Sequence, residues 1–389
     1  MSGIESAQVF PQATNLFHLV PWSRVAKTPS VDLKGRIVFD VAIIGGGPAG
    51  ASCAAFLASG GLRVLLLERS IFPREKVCGD CLNPLAWGVL DQLRLREKVL
   101  ACTHSVLEGV RFLGIDGTCV RVPLPQGTTP ELGLTRARLD QVLLEHAGSC
   151  GVEIYEDATL KSLERLPHGW RLQSGAGVFE ASQIVAADGR NSTVARLLGH
   201  MPPPLPMERI AVQTHLPSPA GLENDVLLQF VKEGYAGLAP VGGNTANLCL
   251  VCRPSDLQSI KHWASRRFAL SSEQTWRSIT PLRRAPLPAT GDRLWFTGDS
   301  ARVVEPFTGE GIAYALRTGA LCAEALLAGN PEQYEAEHAA LYRGRLWVNQ
   351  LARWACLHPK AGSALVQAGR FFPSIFSLLT QKVVAKTPV

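Results

Sequence analysis

Cys78 and Cys81, three positions apart in "EKVCGDCLNP", are the first residues that raise a chemical question. A C-x-x-C pair serves as half of a zinc site or as a redox dithiol, according to its surroundings. Structural zinc needs four ligands, and the second such pair, Cys249 and Cys252, lies far along the chain in a strand-like segment. An odd offset on a strand sends two side chains to opposite faces, so no metal is expected. Asn83-Pro84 makes a good N-cap and first-turn pair for a helix reaching Leu95. Its partial charge, with Arg74 and Lys76 nearby, is expected to lower a neighbouring thiol pKa. A reactive Cys78 and an inert, buried Cys78 both stand at this point.

A second set of residues points to an anionic ligand. Gly45, Gly47 and Gly50 form G-x-G-x-x-G between an apolar run, Ile37 to Ile44, and a small-residue helix, Ala49 to Ser59. Arg63 to Glu68 is another apolar strand, ending in an acid, and the whole reads as one βαβ unit. The first glycine makes the tight turn, the second admits a pyrophosphate to the backbone N–H groups, and the third allows close helix–strand packing. The helix N-terminus then stabilises the phosphate charge. Glu68 stands where a carboxylate must be to bond a ribose hydroxyl, which selects FAD or NAD over NADP.

Towards the other end, "DRLWFTGDSARVVEPFTGEG" holds a strand, Leu294 to Thr297, then Gly298-Asp299, then the start of a helix running from about Gly309 to Ala328. With these motifs together the chain resembles flavoproteins of the p-hydroxybenzoate hydroxylase fold, and within them the geranylgeranyl reductase-like branch. Five ordered motifs across most of residues 36 to 330 carry the resemblance. It implies FAD, with Asp299 at the ribitol chain and Gly309, Gly311 and Ile312 against the pyrimidine ring. "TRARLDQVLLEHA" is similar to the family's R-x-x-L-D helix, which implies that Arg136 faces the cofactor. "YEDATL" fits an edge strand with Ala158 on the adenine side. "IVAADGRNSTVARLLG" resembles the "ADG" segment, with Asp188, Gly189, Ser192 and Arg196. Ala49 and Arg69 complete the implied cofactor-binding positions.

The same resemblance recasts the cysteines. "FPREKVCGDCL" is similar to the family's P-x-x-K-x-C-G-D-x-L segment, which passes the isoalloxazine. That implies roles for Cys78, Gly79 and Asp80 and leaves Cys81 outside the pattern. "GYAGLAP" resembles a family strand reading Tyr-x-Trp-x-Phe-Pro, with Gly237 and Ala239 in place of the two large side chains. A wide pocket for a bulky substrate is expected, with Tyr235 either a proton donor or a packing residue. The catalytic candidates are therefore Cys78, Asp80 and Tyr235.

Related chemistries fit less well. Glutathione-reductase-like enzymes use C-x-x-x-x-C, and thioredoxin-reductase-like ones hold C-x-x-C in a nicotinamide domain whose second G-x-G-x-x-G this chain lacks. Halogenases of the fold carry Gly-Glu-Ser and Trp-x-Trp-x-Ile-Pro motifs, neither of which occurs. Non-catalytic prenyl-GTPase escort proteins of the fold need no flavin, against which the glycines, Glu68 and Asp299 argue. The resemblance thus implies an FAD-dependent oxidoreductase whose flavin is reduced by NAD(P)H. Its expected substrate is an apolar isoprenoid, lipid or polyketide-like molecule reduced at a C=C bond. Hydroxylation by a monooxygenase is the alternative, halogenation a minor one.

The elements that must position these residues define an α/β fold. A Rossmann-like FAD-binding domain is assembled from residues 36–104, 131–200 and 286–330. An antiparallel-sheet substrate domain comes from 105–130 and 201–285, including a hairpin at Asp116-Gly117 and strands between Ile210 and Cys252. Residues 331–389 form a C-terminal helical region and 1–35 an N-terminal extension. At 389 residues, 46% hydrophobic and 19% charged, the chain can build cores of this size. Its net charge of +6 is scattered, so no nucleic-acid partner is expected. The N-terminus has no secretory pattern and no segment reads as a spanning helix, so a cytoplasmic protein with ten free cysteines is expected. The apolar tail "ALVQAGRFFPSIFSLLTQKVV" packs on the cofactor domain, makes a peripheral membrane contact or closes over a lipid-like substrate, the first being favoured. Nothing in the sequence sets an oligomeric state.

Overall fold

The computed structural model describes residues 38–203, 209–343 and 346–371. The N-terminal extension and the part of the apolar tail around Pro373 lie outside them. In chain order the elements begin β1 (Val38–Ile44), α1 (Pro48–Ser59), β2 (Val64–Leu67), β3 (Cys81–Leu82), α2 (Trp87–Gln92) and α3 (Arg96–Leu100). There follow β4 (Ser105–Val106), β5 (Gly109–Leu113), β6 (Cys119–Pro123), β7 (Leu132–Gly133), α4 (Arg136–Ser149) and β8 (Glu153–Tyr155). Next come β9 (Leu160–Leu166), β10 (Gly169–Ser174), β11 (Gly177–Ala186), α5 (Thr193–Leu197) and β12 (Ile210–Pro217). Then β13 (Asp225–Val231), β14 (Gly234–Gly242), β15 (Thr245–Cys252), α6 (Leu257–Phe268), β16 (Arg277–Ile279), β17 (Thr290–Gly291) and β18 (Leu294–Phe296). The remainder is helical: α7 (Gly311–Ala328), α8 (Pro331–Tyr342), α9 (Leu346–Leu357) and α10 (Pro359–Phe371). The last packs on β5, β6 and β13 rather than on the cofactor domain as expected, because Val366 finds its apolar partners there.

One sheet runs β17-β18-β11-β1-β2-β8, parallel from β18 to β8, with β10 and β9 continuing antiparallel from the first half of β11. Val41, Ala42, Ile43 and Ile44 of β1 are all buried, because helices cover one face and the β9–β10 ribbon with α5 the other. Both covers are needed for so continuous an apolar run. A second sheet, β16-β12-β15-β14-β13-β5-β6, stands opposite the cofactor domain. It is antiparallel except at β5–β13, where the hairpin joins in parallel. That exception to the expected antiparallel pattern arises because β5 arrives from a separate stretch of chain rather than through a hairpin. The expected turn is present: Gly117 takes φ +88° between β5 and β6.

The long helix begins at Gly311 rather than Gly309, because Gly309 takes φ +69° and ends a short turn over Pro306–Thr308. Among the described residues α7 is one helix long and apolar enough to cross a membrane. It packs instead against α1 in the core, so closely that a Cβ on Gly319 would lie 2.4 Å from the Ala49 carbonyl oxygen. The helix expected from Pro84 to Leu95 is a 3-10 turn, Pro84–Ala86, followed by α2 and a break before α3. Asn83 does cap it, accepting from the Leu85 N–H at 3.0 Å.

Candidate active site

The strand–turn–helix of β1 and α1 makes the first wall. Gly45 holds φ +105°, and a Cβ there would stand 2.6 Å from the Ala187 oxygen; one on Gly50 would stand 1.9 Å from the Gly45 oxygen. These two glycines are required by the chain's own packing. Gly47 differs: the nearest atom to its would-be Cβ is an Arg74 nitrogen at 3.7 Å. Gly79 and Gly311 meet nothing within 4 Å. Open space beside glycines at a helix start fits a group that must approach the backbone closely, as a dinucleotide does. Glu68 closes this end. Its carboxylate accepts from Gly46 N–H at 2.7 Å and Ser70 N–H at 2.9 Å, which leaves lone pairs for a ribose.

The strands β11 and β18 deliver the next residues. Asp188 turns inward and caps α5, accepting from Thr193 and Val194 N–H at 2.6 and 3.0 Å. Asp299, held by a Thr297–Ser300 capping box, pairs with Arg190 at 3.1 Å. Burial alone would raise the Asp299 carboxyl, but Arg190 and Lys76 hold it below the ordinary carboxylate range. Lys76 is itself lowered to about 8, by burial first and then by Arg136. A negatively charged ligand would restore its charge.

One cleft collects most of the expected residues. Gly47, Ala49, Cys78, Gly79, Arg136, Tyr235, Asp299, Gly309, Gly311 and Ile312 all line it. So do Gly237 and Ala239 of β14, opposite the cofactor cradle. Lys76, Glu131, Arg190 and Cys249 also line it. Of these, Lys76 lies inside a motif the sequence shows, whereas Glu131 in "PELG" carries no local signal and is brought in by tertiary structure. Arg136 lies beside Cys78 but commits two nitrogens to Asp140, at 2.8 and 2.6 Å.

Other positions lie elsewhere. Ala158 follows β8 rather than belonging to it, because pairing with β2 ends at Tyr155. Its N–H is already given to the Glu68 carbonyl at 2.8 Å, and the residue is buried. Arg69 and Arg196 are exposed, the latter donating to Thr193 at 3.0 Å.

Two expectations need correction. Asp80 does not wall the cleft. It takes φ +56° and turns its fully buried carboxylate to His215 Nε2 at 2.9 Å and to the Arg136 N–H at 3.3 Å. Gln213 reaches the same carboxylate at 3.5 Å and the Asn247 oxygen at 2.7 Å. Asn247 and the Cys249 thiol then donate to the Cys78 carbonyl at 2.8 and 3.0 Å. The substrate sheet thereby grips the Cys78–Asp80 segment, and Asp80 is a positioning residue. The Cys78 thiol is pushed up, not lowered, since burial outweighs the nearby Arg136. Tyr235 is raised well above the usual phenol range, chiefly by burial, and its ring meets Phe307 edge-on at 5.1 Å.

Comparison with known proteins agrees with this geometry. The FAD binding domain family matches residues 38–328. Menaquinone reductase of Mycobacterium tuberculosis strain H37Rv is 30% identical over 315 residues, 74% of this chain and 76% of that protein. Digeranylgeranylglycerophospholipid reductase 1 of Methanothermobacter thermautotrophicus is 26% identical over 75% and 78% of the two chains. Among solved structures, the flavin-dependent brominase Bmp2 superposes with a TM-score of 0.72 over 90% of this chain and 96% of its own, at 21% identity. The open glycines, the capped Glu68 and the Arg190–Asp299 pair fit FAD, and the chain belongs to the FAD binding domain family as an FAD-dependent oxidoreductase of the p-hydroxybenzoate hydroxylase type.

Proposed function

We propose that NAD(P)H reduces the FAD of this protein and that the protein then reduces a C=C bond of an apolar, isoprenoid-type substrate. The carrying observation is the cleft itself. One wall is the cofactor cradle; the other is the inner face of the second sheet, with Val110, Val226, Leu228 and Leu238 lining it and Gly237 and Ala239 leaving it wide. Menaquinone reductase and digeranylgeranylglycerophospholipid reductase, by their names, act on molecules with long isoprenoid chains, which supports the same substrate class here.

Bound FAD would supply hydride transfer. Gly47 with the start of α1, Glu68, Arg190 and Asp299 would hold it, and Gly309 to Ile312 would back its ring. The apolar sheet would orient the substrate and exclude water. Arg209 and Glu305, a buried pair at 3.0 and 2.7 Å, fasten the start of β12 to the loop before α7 and so fix the spacing between the walls. Turnover under ¹⁸O₂ tests the reading: a product lacking the label and two mass units heavier than substrate supports it. A labelled hydroxyl group in the product makes the protein a monooxygenase instead.

A peripheral membrane contact belongs to this proposal. Trp347, Leu351 and Trp354 of α9 are 45%, 37% and 47% exposed, and their spacing puts them on one helix face. Arg343 before α9 and Lys360 and Arg370 in α10 are exposed as well. Such a face suits an anionic lipid surface from which an apolar substrate would be drawn.

A further inference from the structure

We propose that Glu131 is a further catalytic residue: it donates a hydrogen bond, and on reduction a proton, to an uncharged acceptor atom at the reacting end of the substrate. The inference rests on the reductase reading above. Glu131 precedes β7, which is paired on both sides, to β3 and to β4. β7 also lies hard against β14, since a Cβ on Gly133 would stand 1.8 Å from the Pro240 carbonyl oxygen. This packing fixes the backbone at the cleft wall, and Glu131 lines the cleft with Cys81, Val110 and Leu238. Only 8% of the residue is exposed, and its Oε2 has no hydrogen-bond partner among the described residues. A buried polar atom without a partner in the chain is an unusual feature, and a ligand is the simplest thing to supply one.

An isolated carboxylate here would cost several kcal/mol, so the group keeps its proton instead. Burial pushes its pKa up to about 7, and Glu310 beside it at the start of α7 adds to the rise. The Cys81 thiol faces it from the segment before the Pro84 turn. Further along the cleft stand Cys78 and Cys249, Tyr235 on the sheet, and Lys76, Arg136, Arg190 and Asp299 on the cofactor side. Burial raises Cys81, Cys249 and Tyr235 well above their ordinary ranges, so they hold their protons, and below about pH 7 Glu131 is protonated and able to give its proton up.

A protonated carboxyl has one O–H to give. In a two-electron reduction, bound reduced FAD would supply a hydride, which accounts for both electrons and one proton. Glu131 supplies the second proton: its O–H bond breaks as the substrate gains hydrogen, and solvent reprotonates the carboxylate. The same chemistry sets a preference. An uncharged acceptor such as a carbonyl oxygen next to the reacting C=C bond takes the hydrogen bond, and the alkene carbon takes the proton.

Glu131→Gln keeps the shape and a donor but cannot release a proton; Glu131→Leu keeps neither. FAD content and the flavin absorbance spectrum, expected unchanged in both, report on folding and on the cofactor. Binding of menaquinone to the oxidised holoprotein, read from flavin fluorescence, is expected to weaken about tenfold for the wild type between pH 6 and pH 8, the range about a pKa near 7. Glu131→Gln should bind without pH dependence, and Glu131→Leu about tenfold more weakly at pH 6. Substrate-driven flavin reoxidation in Glu131→Gln should slow on the order of 100-fold. A Glu131→Gln variant that keeps the wild-type pH profile of binding would overturn the proposal, as would a shifted flavin spectrum, which would move the contact to the cofactor. If even the wild type is not reoxidised by the substrate, the reductase reading fails, while the binding profile still decides for or against Glu131.

Discussion

Asp80 and His215 show how a residue can matter at this site without touching it. Asp80 is held in a left-handed conformation, and the imidazole that compensates its burial comes from the other sheet. Burial raises Asp80, and the hydrogen bond to Asp80 raises His215, with Arg277 the opposing charge and Glu75 a supporting one. Both shifts are upward, so both contribute stability that is lost as pH rises through the raised values. His215→Ala should cost about 2 kcal/mol by leaving a buried carboxylate unpaired, and thermal melts between pH 5 and pH 8 should lose part of the wild-type pH dependence. Lys76 works the other way round. Lowered to about 8, it loses its charge as pH rises through that value, so FAD affinity should fall there; in Lys76→Met an FAD titration should find a weaker and flatter profile. At this scale the sequence was legible where a motif is local, as with Gly47 or Lys76. It was silent on His215 and Glu131, whose partners and exposure are set by strands distant in sequence.

Among elements, the βαβ unit could be read because a strand buried on both faces needs an unbroken apolar run, which Val41 to Ile44 supply. The short strands could not: β3, β4 and β7 have two residues each, too few to show a period, yet β7 delivers Glu131. Nor could the parallel joint of β5 to β13, which depends on how two sequence-distant pieces meet. The strand β14 gives the sharpest element-level expectation. Gly237 lines the cleft and a Cβ there meets only Leu228, at 3.5 Å. Gly237→Trp should fill the cleft from the sheet side, retaining FAD and lowering turnover of a bulky apolar substrate more than tenfold, measurable as a split between flavin content and activity. Equal loss of both would place Gly237 in the fold rather than in the substrate wall.

Over the whole molecule, two sheets face each other across one cleft, and the C-terminal helices close the assembly: α9 lends Asn349, whose oxygen accepts from the Glu305 N–H at 3.1 Å. The same helix turns Trp347 and Trp354 outward. Replacing both with serine should reduce co-sedimentation with phosphatidylglycerol-containing vesicles at least fivefold while leaving FAD content intact. The central claim is that the bound flavin passes its electrons directly to an apolar isoprenoid molecule in this cleft. Its most direct measurement is an anaerobic one, in which NAD(P)H-reduced protein is mixed with menaquinone and flavin absorbance is followed. The account predicts that oxidised flavin returns without oxygen and that the product is still two mass units heavier after any quinol has been reoxidised in air; a flavin that stays reduced until oxygen is admitted, or a product that returns to the mass of menaquinone in air, would contradict it.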